Sequence, residues 1–232
     1  MKPIRVCVLT PTTGNPLLTR ANQSVVNQKV PSGWEVDHII VSDGTRYESD
    51  SQALLPDGQA IYTVPHNTND WGGGRWYGHR LYAYYSQLLN ADFILFLDED
   101  NYYSPNHIQE VVSKANSYGI GWSRRAIVKG EELIGYDDFE AICDPEKVGY
   151  NLIDTSTWCF RRDFVHLAMG IIGEWGADRK LTKHVLASLN EGHVRRACTL
   201  KYTVYYDSPD HLVNFFRAYC SLPNKKVLTS IG

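Results

Sequence analysis

Five apolar residues, 93–97, run directly into the acidic triplet Asp98, Glu99 and Asp100, and this junction constrains the fold most strongly. A continuous apolar run bounded by polar residues predicts a strand buried on both faces, as in a parallel sheet. Ligands of open α/β sheets bind at the carboxyl ends of strands, where the triplet would lie. Asp98 and Asp100 would point the same way along an extended backbone and could share a divalent metal ion with phosphate oxygens. The alternative is a solvated acidic loop after a core strand.

The rest of the first half alternates strands with helices. Hydrophobic patterning predicts three further strands and two helices, over residues 4–10, 36–42 and 60–65 and over 17–28 and 78–90. Polar residues follow three of the strands, at Thr10 to Thr13, at Asp43-Gly44 and at the acidic triplet. Because strand ends in such a sheet converge on one crevice, we expect these residues to line one ligand site.

The second half is less regular. Its pattern predicts a helix to residue 118, strands within 120–128 and at 152–160 and 200–206, and helices at 163–172, at 179–190 and from 208. Residues 129–150 are acidic and irregular, which predicts a long loop. No repeat or linker divides the chain, so we predict one α/β domain over 1–232, with a mixed, mostly parallel sheet flanked by helices.

Composition excludes some classes of function. A net charge of -3 gives no basic surface of the kind that nucleic-acid binding requires. Aromatic residues make up 12% of the chain, and many lie in polar, glycine-containing stretches that suit stacking on a base or sugar ring. Five cysteines without a paired spacing predict neither a disulfide framework nor a zinc site. Without a signal peptide or a membrane-spanning apolar run, we expect a cytoplasmic protein.

Phosphate-binding glycine loops are absent from the sequence. Neither GxxxxGK[ST] nor a GxGxxG after the first strand occurs. The phosphates of a nucleotide would have to be neutralised in another way, and a metal ion on Asp98 and Asp100 is the natural candidate.

Three motifs, in order, resemble those of the family 2 glycosyltransferases, which have the GT-A fold. They are Val-Leu-Thr-Pro-Thr at 8–12, Val-Ser-Asp-Gly at 41–44 and Asn-Ala-Asp-Phe-Ile-Leu-Phe-Leu-Asp-Glu-Asp-Asn at 90–101. The resemblance runs from about residue 4 to 115 and continues more weakly to about 206. It implies a GT-A-type, Rossmann-like fold with a nucleotide-sugar-binding half (1–118), an acceptor-binding half (119–222) and a tail (223–232).

The resemblance also implies roles for single residues on the donor side. Asp43 binds the nucleobase, Asp98 holds the ribose and a metal ion, and Asp100 binds the metal. Thr10 and Thr12, at the end of the first strand, join the same nucleotide site. Arg75, which follows three glycines, contacts the donor, with Arg80 as the alternative.

On the acceptor side, the resemblance implies a carboxylate at the start of a later helix. Asp178 matches it best as general base toward the acceptor hydroxyl, Glu174 is its competitor, and Asp154 or the pair Asp137-Asp138 are more distant alternatives. The family more often has a second acid where Ala177 stands. Asp178 could instead only cap its helix. His211 or His193 would supply a third metal ligand.

The sequence therefore predicts a metal-dependent, inverting glycosyltransferase that uses Mn²⁺ or Mg²⁺. A UDP- or GDP-sugar is the expected donor and a hydroxyl group the acceptor, while the class of acceptor and the oligomeric state stay open. Two alternatives remain: a sugar nucleotidyltransferase, whose phosphate loop residues 14–20 faintly resemble, and a non-catalytic nucleotide-sugar-binding module on the same fold.

Overall fold

The structure is a computed structural model that describes residues 2–70, 78–138, 152–173, 176–189 and 196–221. Within these ranges nine strands form one sheet flanked by helices, which confirms the predicted α/β fold class. The strands are β1 (Ile4–Thr12), β2 (Trp34–Ser42), β3 (Ile61–Thr63), β4 (Phe93–Phe96), β5 (Tyr102–Tyr103), β6 (Ile120–Lys129), β7 (Glu132–Tyr136), β8 (Trp158–Arg161) and β9 (Cys198–Asp207). The α-helices of the same ranges are α1 (Leu18–Val26), α2 (Glu48–Ala53), α3 (His79–Leu88), α4 (His107–Tyr118), α5 (Ala177–Ser188) and α6 (Asp210–Tyr219). Shorter or tighter 3-10 helices cover Thr45–Tyr47, Thr68–Asp70, Thr155–Thr157 and Arg162–Ile171.

The order of strands in the sheet is β3-β2-β1-β4-β8-β6-β9-β5, and β7 pairs with β6 outside this path. The first four are mutually parallel, β8 is antiparallel to both of its neighbours, and β9 runs parallel to β6. Strands β1 to β4, β6 and β9 therefore all point in one direction. The carboxyl ends of β1, β2 and β4 consequently meet at the same edge of the sheet.

Strand β4 is buried on both faces, as its apolar run predicts. Ile94 and Phe96 pack into a cluster with α3, α5 and the 3-10 helix Arg162–Ile171. Phe93 and Leu95 point the other way and pack with α1 and α4. The sheet is thus a middle layer, and the acidic triplet emerges from its centre.

Several local predictions were wrong. Residues 132–136 form β7 rather than loop, and 120–129 form one continuous strand. The strand predicted at 152–160 begins only at Trp158 and runs to Arg161, because the side chain of Asp154 accepts a hydrogen bond from the amide of Ser156 and starts a 3-10 helix. Cys198 is disulfide-bonded, whereas Cys7, Cys159 and Cys220 are free thiols. Among the described residues, no helix is both long and apolar enough to cross a membrane.

Candidate functional site

A cleft of about 280 Å³ opens at the carboxyl ends of β1, β2 and β4. Its lining comes from the end of β1, from the loops that follow these strands, from the 3-10 helix after β3 and from the residue before α3: Pro11, Thr12, Thr13, Asp43, Asn69, Gly78, Asp98, Glu99 and Asp100. Two of the three predicted strand-end clusters supply their carboxylates to it, and the first supplies hydroxyl groups. The structure therefore brings residues of all three strand-end groups into one cleft, with the exception of Thr10.

Asp98 is held by three side chains, two of them from distant parts of the chain. The hydroxyl of Tyr82 donates to its Oδ1 at 2.8 Å, and Ser156 Oγ and Asn101 Nδ2 donate to its Oδ2 at 3.1 and 3.3 Å. Burial raises the pKa of Asp98, and the nearby carboxylates of Asp154 and Asp100 raise it further. Its orientation is fixed by the fold before any ligand binds.

Asp100 lines the cleft close to other carboxylates, which repel its negative charge. Burial, and then the charge of Glu99, raises the pKa of Asp100 to about 6. Its backbone carbonyl accepts a 3.1 Å hydrogen bond from Arg20, whose guanidinium also pairs with Asp207 at 2.7 Å. The turn that carries Asp100 is thereby attached to the end of β9.

Glu99 binds the loop that follows β1, a role for which no local pattern exists in the sequence. Its carboxylate accepts hydrogen bonds from the hydroxyl of Thr12, from the amide and hydroxyl of Thr13 and from the amide of Asn15. Hydrogen bonds to a carboxylate are stronger than hydrogen bonds between neutral groups. Glu99 therefore joins two walls of the cleft.

Asp43 is almost fully buried at the base of the cleft. The amide and the hydroxyl of Thr68 each donate to one of its carboxylate oxygens at 2.8 Å, and Asn67 Nδ2 donates to its carbonyl. Burial raises the pKa of Asp43, and the hydrogen bonds from Thr68 oppose that shift. The segment after β3 thus sets the position of the predicted base-binding residue.

The two predicted threonines occupy different surroundings. Thr12 lines the cleft, and its hydroxyl is bonded to Glu99 at 2.5 Å. Thr10 is fully buried, and its hydroxyl meets Nε2 of His38, whose Nδ1 contacts Asn22. Because Thr10 belongs to this internal network and not to the cleft lining, we do not assign it to the donor site.

The predicted set of three metal ligands is only partly assembled. Over the ranges that the structure describes, no three His, Cys, Asp or Glu side chains are arranged to hold one ion. His211 is exposed on α6 beside Asp210, and it is not among the residues that line the cleft. The two aspartates themselves line the same cleft, where burial and neighbouring carboxylates raise the pKa of each. This donor pair fits a hard cation that takes its other ligands from phosphate and water.

A second cavity of about 340 Å³ lies beside the cleft and contains Asp178. Gly78 lines the first cavity and His79 the second, so the two are neighbours. The lining of the second combines charged and aromatic side chains: His79, Arg125, Leu152, Gly176, Asp178, Arg179, Tyr206, Leu212, Phe215 and Phe216. It is large enough for one sugar ring next to a carboxylate.

Asp178 lies in the first turn of α5 and lines this cavity. Its Oδ1 accepts a 2.8 Å hydrogen bond from the amide of Arg179, while the residue that precedes the helix, Gly176, caps it without a side chain. Burial raises the pKa of Asp178, and Asp154 raises it further. The carboxylate is therefore more basic than an ordinary aspartate, which suits proton abstraction.

Three predicted candidates, Arg75, Glu174 and His193, lie outside the described residues. The alternative to the first, Arg80, is on α3, and its Nη1 donates to the carbonyl of Thr68 at 3.4 Å.

The sequence matches no protein-family model and no curated protein. Among solved structures, Staphylococcus aureus TarS is 16% identical with a TM-score of 0.60, over 88% of this chain and 37% of TarS. TarS 1–349 in complex with UDP-GlcNAc is 15% identical with a TM-score of 0.61, over 89% of this chain and 59% of that one. The mannosyltransferase PcManGT from Pyrobaculum calidifontis, in complex with GDP-Man and Mn²⁺, is 16% identical with a TM-score of 0.59. The match covers 93% of this chain and 61% of PcManGT.

The chain has the fold of these proteins. It spans between 37% and 61% of their lengths. At such low identity the likeness concerns the fold, and the chemistry has to be argued from the side chains of the two cavities.

Proposed function

We propose that the protein is a nucleotide-sugar glycosyltransferase that moves a sugar from a UDP- or GDP-linked donor to an acceptor hydroxyl. The observation that carries this proposal is the pairing of two neighbouring cavities. One is an acidic cleft at the strand ends, and the other holds the carboxylate of Asp178. The shared fold supports it, because PcManGT is a mannosyltransferase in complex with GDP-Man and Mn²⁺.

The donor nucleotide occupies the first cleft in this proposal. Asp43 receives the nucleobase, the carboxylate of Asp98 receives the ribose, and Thr12 lies at the wall between them. Asp43 and Asp98 are held by Thr68 and by Tyr82, so neither has to reorganise on binding. The role of Arg75 stays a prediction.

Asp98 and Asp100 would hold a divalent cation, Mn²⁺ or Mg²⁺, together with the donor diphosphate. Such an ion stabilises the negative charge that develops on the departing nucleoside diphosphate. The protein's own contribution is to keep two carboxylates in one cleft despite their repulsion, which Tyr82, Ser156 and the turn bound by Arg20 do.

Asp178 acts as the general base in the second cavity. A sugar hydroxyl is a poor nucleophile, and a positioned carboxylate can accept its proton as the new bond forms. Among the described residues that line this cavity, Asp178 is the one carboxylate, and a single carboxylate on the acceptor side corresponds to a single displacement that inverts the anomeric centre. The aromatic side chains of Tyr206, Phe215 and Phe216 offer an apolar face to the acceptor.

Sugar nucleotidyl transfer receives less support. Residues 14–20 are the reason to consider it, and Arg20 would have to face the phosphates. Its guanidinium instead pairs with Asp207 and lies 4.3 Å from the ring of Tyr102.

The test is a release assay over a panel of UDP- and GDP-sugars with Mn²⁺ and mixed sugar acceptors. We expect one donor to release nucleoside diphosphate in an acceptor-dependent way, and NMR of the product to show the inverted anomer. Asp178→Ala should abolish transfer while donor binding persists. Pyrophosphate release from a nucleoside triphosphate and a sugar phosphate, without transfer, would contradict the proposal.

A further inference from the structure

Arg125 lies in the wall of the second cavity and is only 3% exposed. Its Nε donates to Asp137 and its Nη1 to Asp154, each at 2.7 Å. Its guanidinium also lies 4.7 Å from the ring of Tyr206. An arginine at such a depth compensates the buried carboxylates that it contacts, and its loss would remove the cation that balances their charge.

Asp154 connects Arg125 with the first cleft through hydrogen bonds. Its Oδ2 binds Arg125, while its Oδ1 accepts a 2.9 Å hydrogen bond from the amide of Ser156. The hydroxyl of Ser156 then meets Asp98 twice: it donates to Oδ2 at 3.1 Å and accepts from the amide at 3.0 Å. Arg125 is thus connected to Asp98 through two residues.

The same segment reaches the second cavity. The amide of Ile153 donates to Thr182 Oγ1 at 2.9 Å, and that hydroxyl donates in turn to the carbonyl oxygen of Asp178 at 2.8 Å. Residues 153–156 therefore connect the carboxylate proposed for the donor with the helix turn that carries the proposed base. Beyond the effect of burial, the charge of Asp154 raises the pKa of Asp178.

We propose that Arg125 is a positioning residue for sugar transfer, which neutralises Asp154 and so holds residues 153–156 between Asp98 and Asp178. The roles of these two carboxylates rest on the proposed function, whereas the chain of hydrogen bonds is a property of the fold. Without Arg125, the carboxyl group of Asp154 would lose its buried cationic partner while it remained close to other carboxylates. The segment would then move to hydrate it, and Ser156 and Thr182 would lose their partners.

Three variants test this assignment. Arg125→Met removes the guanidinium from both Asp154 and Asp137. The Arg125→Met/Asp154→Asn variant removes the unpaired charge in the segment but keeps a carbonyl oxygen for the amide of Ser156. The Arg125→Met/Asp137→Asn variant is the matched control, because it has the same net charge and removes the carboxylate on the other side of Arg125.

Hydrogen exchange of the peptides that contain Asp98 and Ser156 is the first readout, since it needs no substrate. We expect faster exchange in Arg125→Met and in the control, and exchange close to wild type in the variant with Asp154→Asn. For transfer, we expect kcat to fall by about 100-fold in Arg125→Met and in the control, because small displacements of reacting groups have effects of this size. The Arg125→Met/Asp154→Asn variant should recover most of the lost kcat. Its pH profile should have the acid limb at the wild-type position.

Equal exchange in the two double variants, or wild-type exchange in all three, would overturn the assignment of Arg125. Absence of any transfer by the wild-type protein would instead overturn the proposed function, and the exchange comparison would still decide the role of Arg125. If the methionine variants do not fold, the same comparison is made with Arg125→Gln, whose amide can donate to one carboxylate.

Discussion

The hydroxyl of Thr12 donates a 2.5 Å hydrogen bond to Oε2 of Glu99, and this contact joins the loop after β1 to the acidic triplet after β4. Thr13 and Asn15 direct further donors to the same carboxylate. Glu99 thus directs its carboxylate to groups of the protein, whereas Asp98 and Asp100 on either side of it line the cleft in which we propose that the donor binds. The middle acid of the triplet shapes the cleft.

Glu99→Gln should loosen this junction. Because hydrogen bonds to a charged group contribute about 1.5–3 kcal/mol each, we expect the free energy of unfolding to fall by about 1–3 kcal/mol. Nucleoside diphosphate should bind more weakly, as measured by calorimetry. Glu48→Gln, an exposed position on α2, is the control and should change neither quantity.

Gly44→Ala should perturb the site through a contact of the backbone. Gly44 has φ +120°, and a Cβ there would lie 3.0 Å from the amide nitrogen of Asn67, next to the residue that holds Asp43. Gly58→Ala is the matched control, because Gly58 has φ +85° and an added Cβ would meet nothing within 4 Å. Each change should lower stability by about 1–2 kcal/mol for the backbone strain alone.

The difference between the two variants isolates the contact with Asn67. We expect Gly44→Ala to be the less stable of the two in denaturant unfolding, and it alone should weaken nucleotide binding. Equal stability and equal affinity in both variants would show that the segment after β3 does not support Asp43.

Asp178→Asn should abolish the acid limb of the rate profile. The base must be ionised to accept a proton, and burial raises the pKa of Asp178. The kcat of the wild type should therefore fall with decreasing pH at a midpoint above the ordinary aspartate value of about 4. The Asn variant should lose about 100-fold or more in kcat, and little remaining activity should depend on pH in this range.

The same substitution should stabilise the protein at neutral pH. Because its folded-state pKa is raised, Asp178 binds its proton more tightly in the folded than in the unfolded chain, so its contribution to stability is lost as pH rises from about 4 through the folded pKa. We expect the Asn variant to melt higher than wild type at neutral pH, and at the same temperature when the pH is below the unfolded value. Asp57→Asn, in an exposed turn, should show no such difference.

The sequence predicts the parts of the site that obey local rules. The apolar run before Asp98 specifies a strand buried on both faces, and parallel topology then brings Asp43 and Asp98 to the same edge of the sheet. Short-range patterning thus determines both the fold class and the location of the cleft. Asp178 is predicted only through the resemblance, since a single aspartate at the start of a helix has no pattern of its own.

The supporting residues could not be predicted, because their partners are far away in the chain. Ser156 is 58 residues from Asp98, and Thr68 is 25 residues from Asp43. Arg125 follows another arginine in a strand, and only the packing of β6 against Asp137 and Asp154 distinguishes it. A lone histidine such as His211 likewise has no local pattern that predicts whether its side chain faces the cleft.

The most direct measurement of the central claim is the melting temperature with nucleoside diphosphate, with and without Mn²⁺. A ligand that binds only the folded protein raises its melting temperature by mass action. In the wild type and in the Asp57→Ala control, Mn²⁺ should add to the shift produced by UDP or GDP, whereas in Asp100→Ala the addition of Mn²⁺ should have no effect. A Mn²⁺-dependent shift of the same size in Asp100→Ala would contradict the assignment of the acidic triplet to a metal-bound donor.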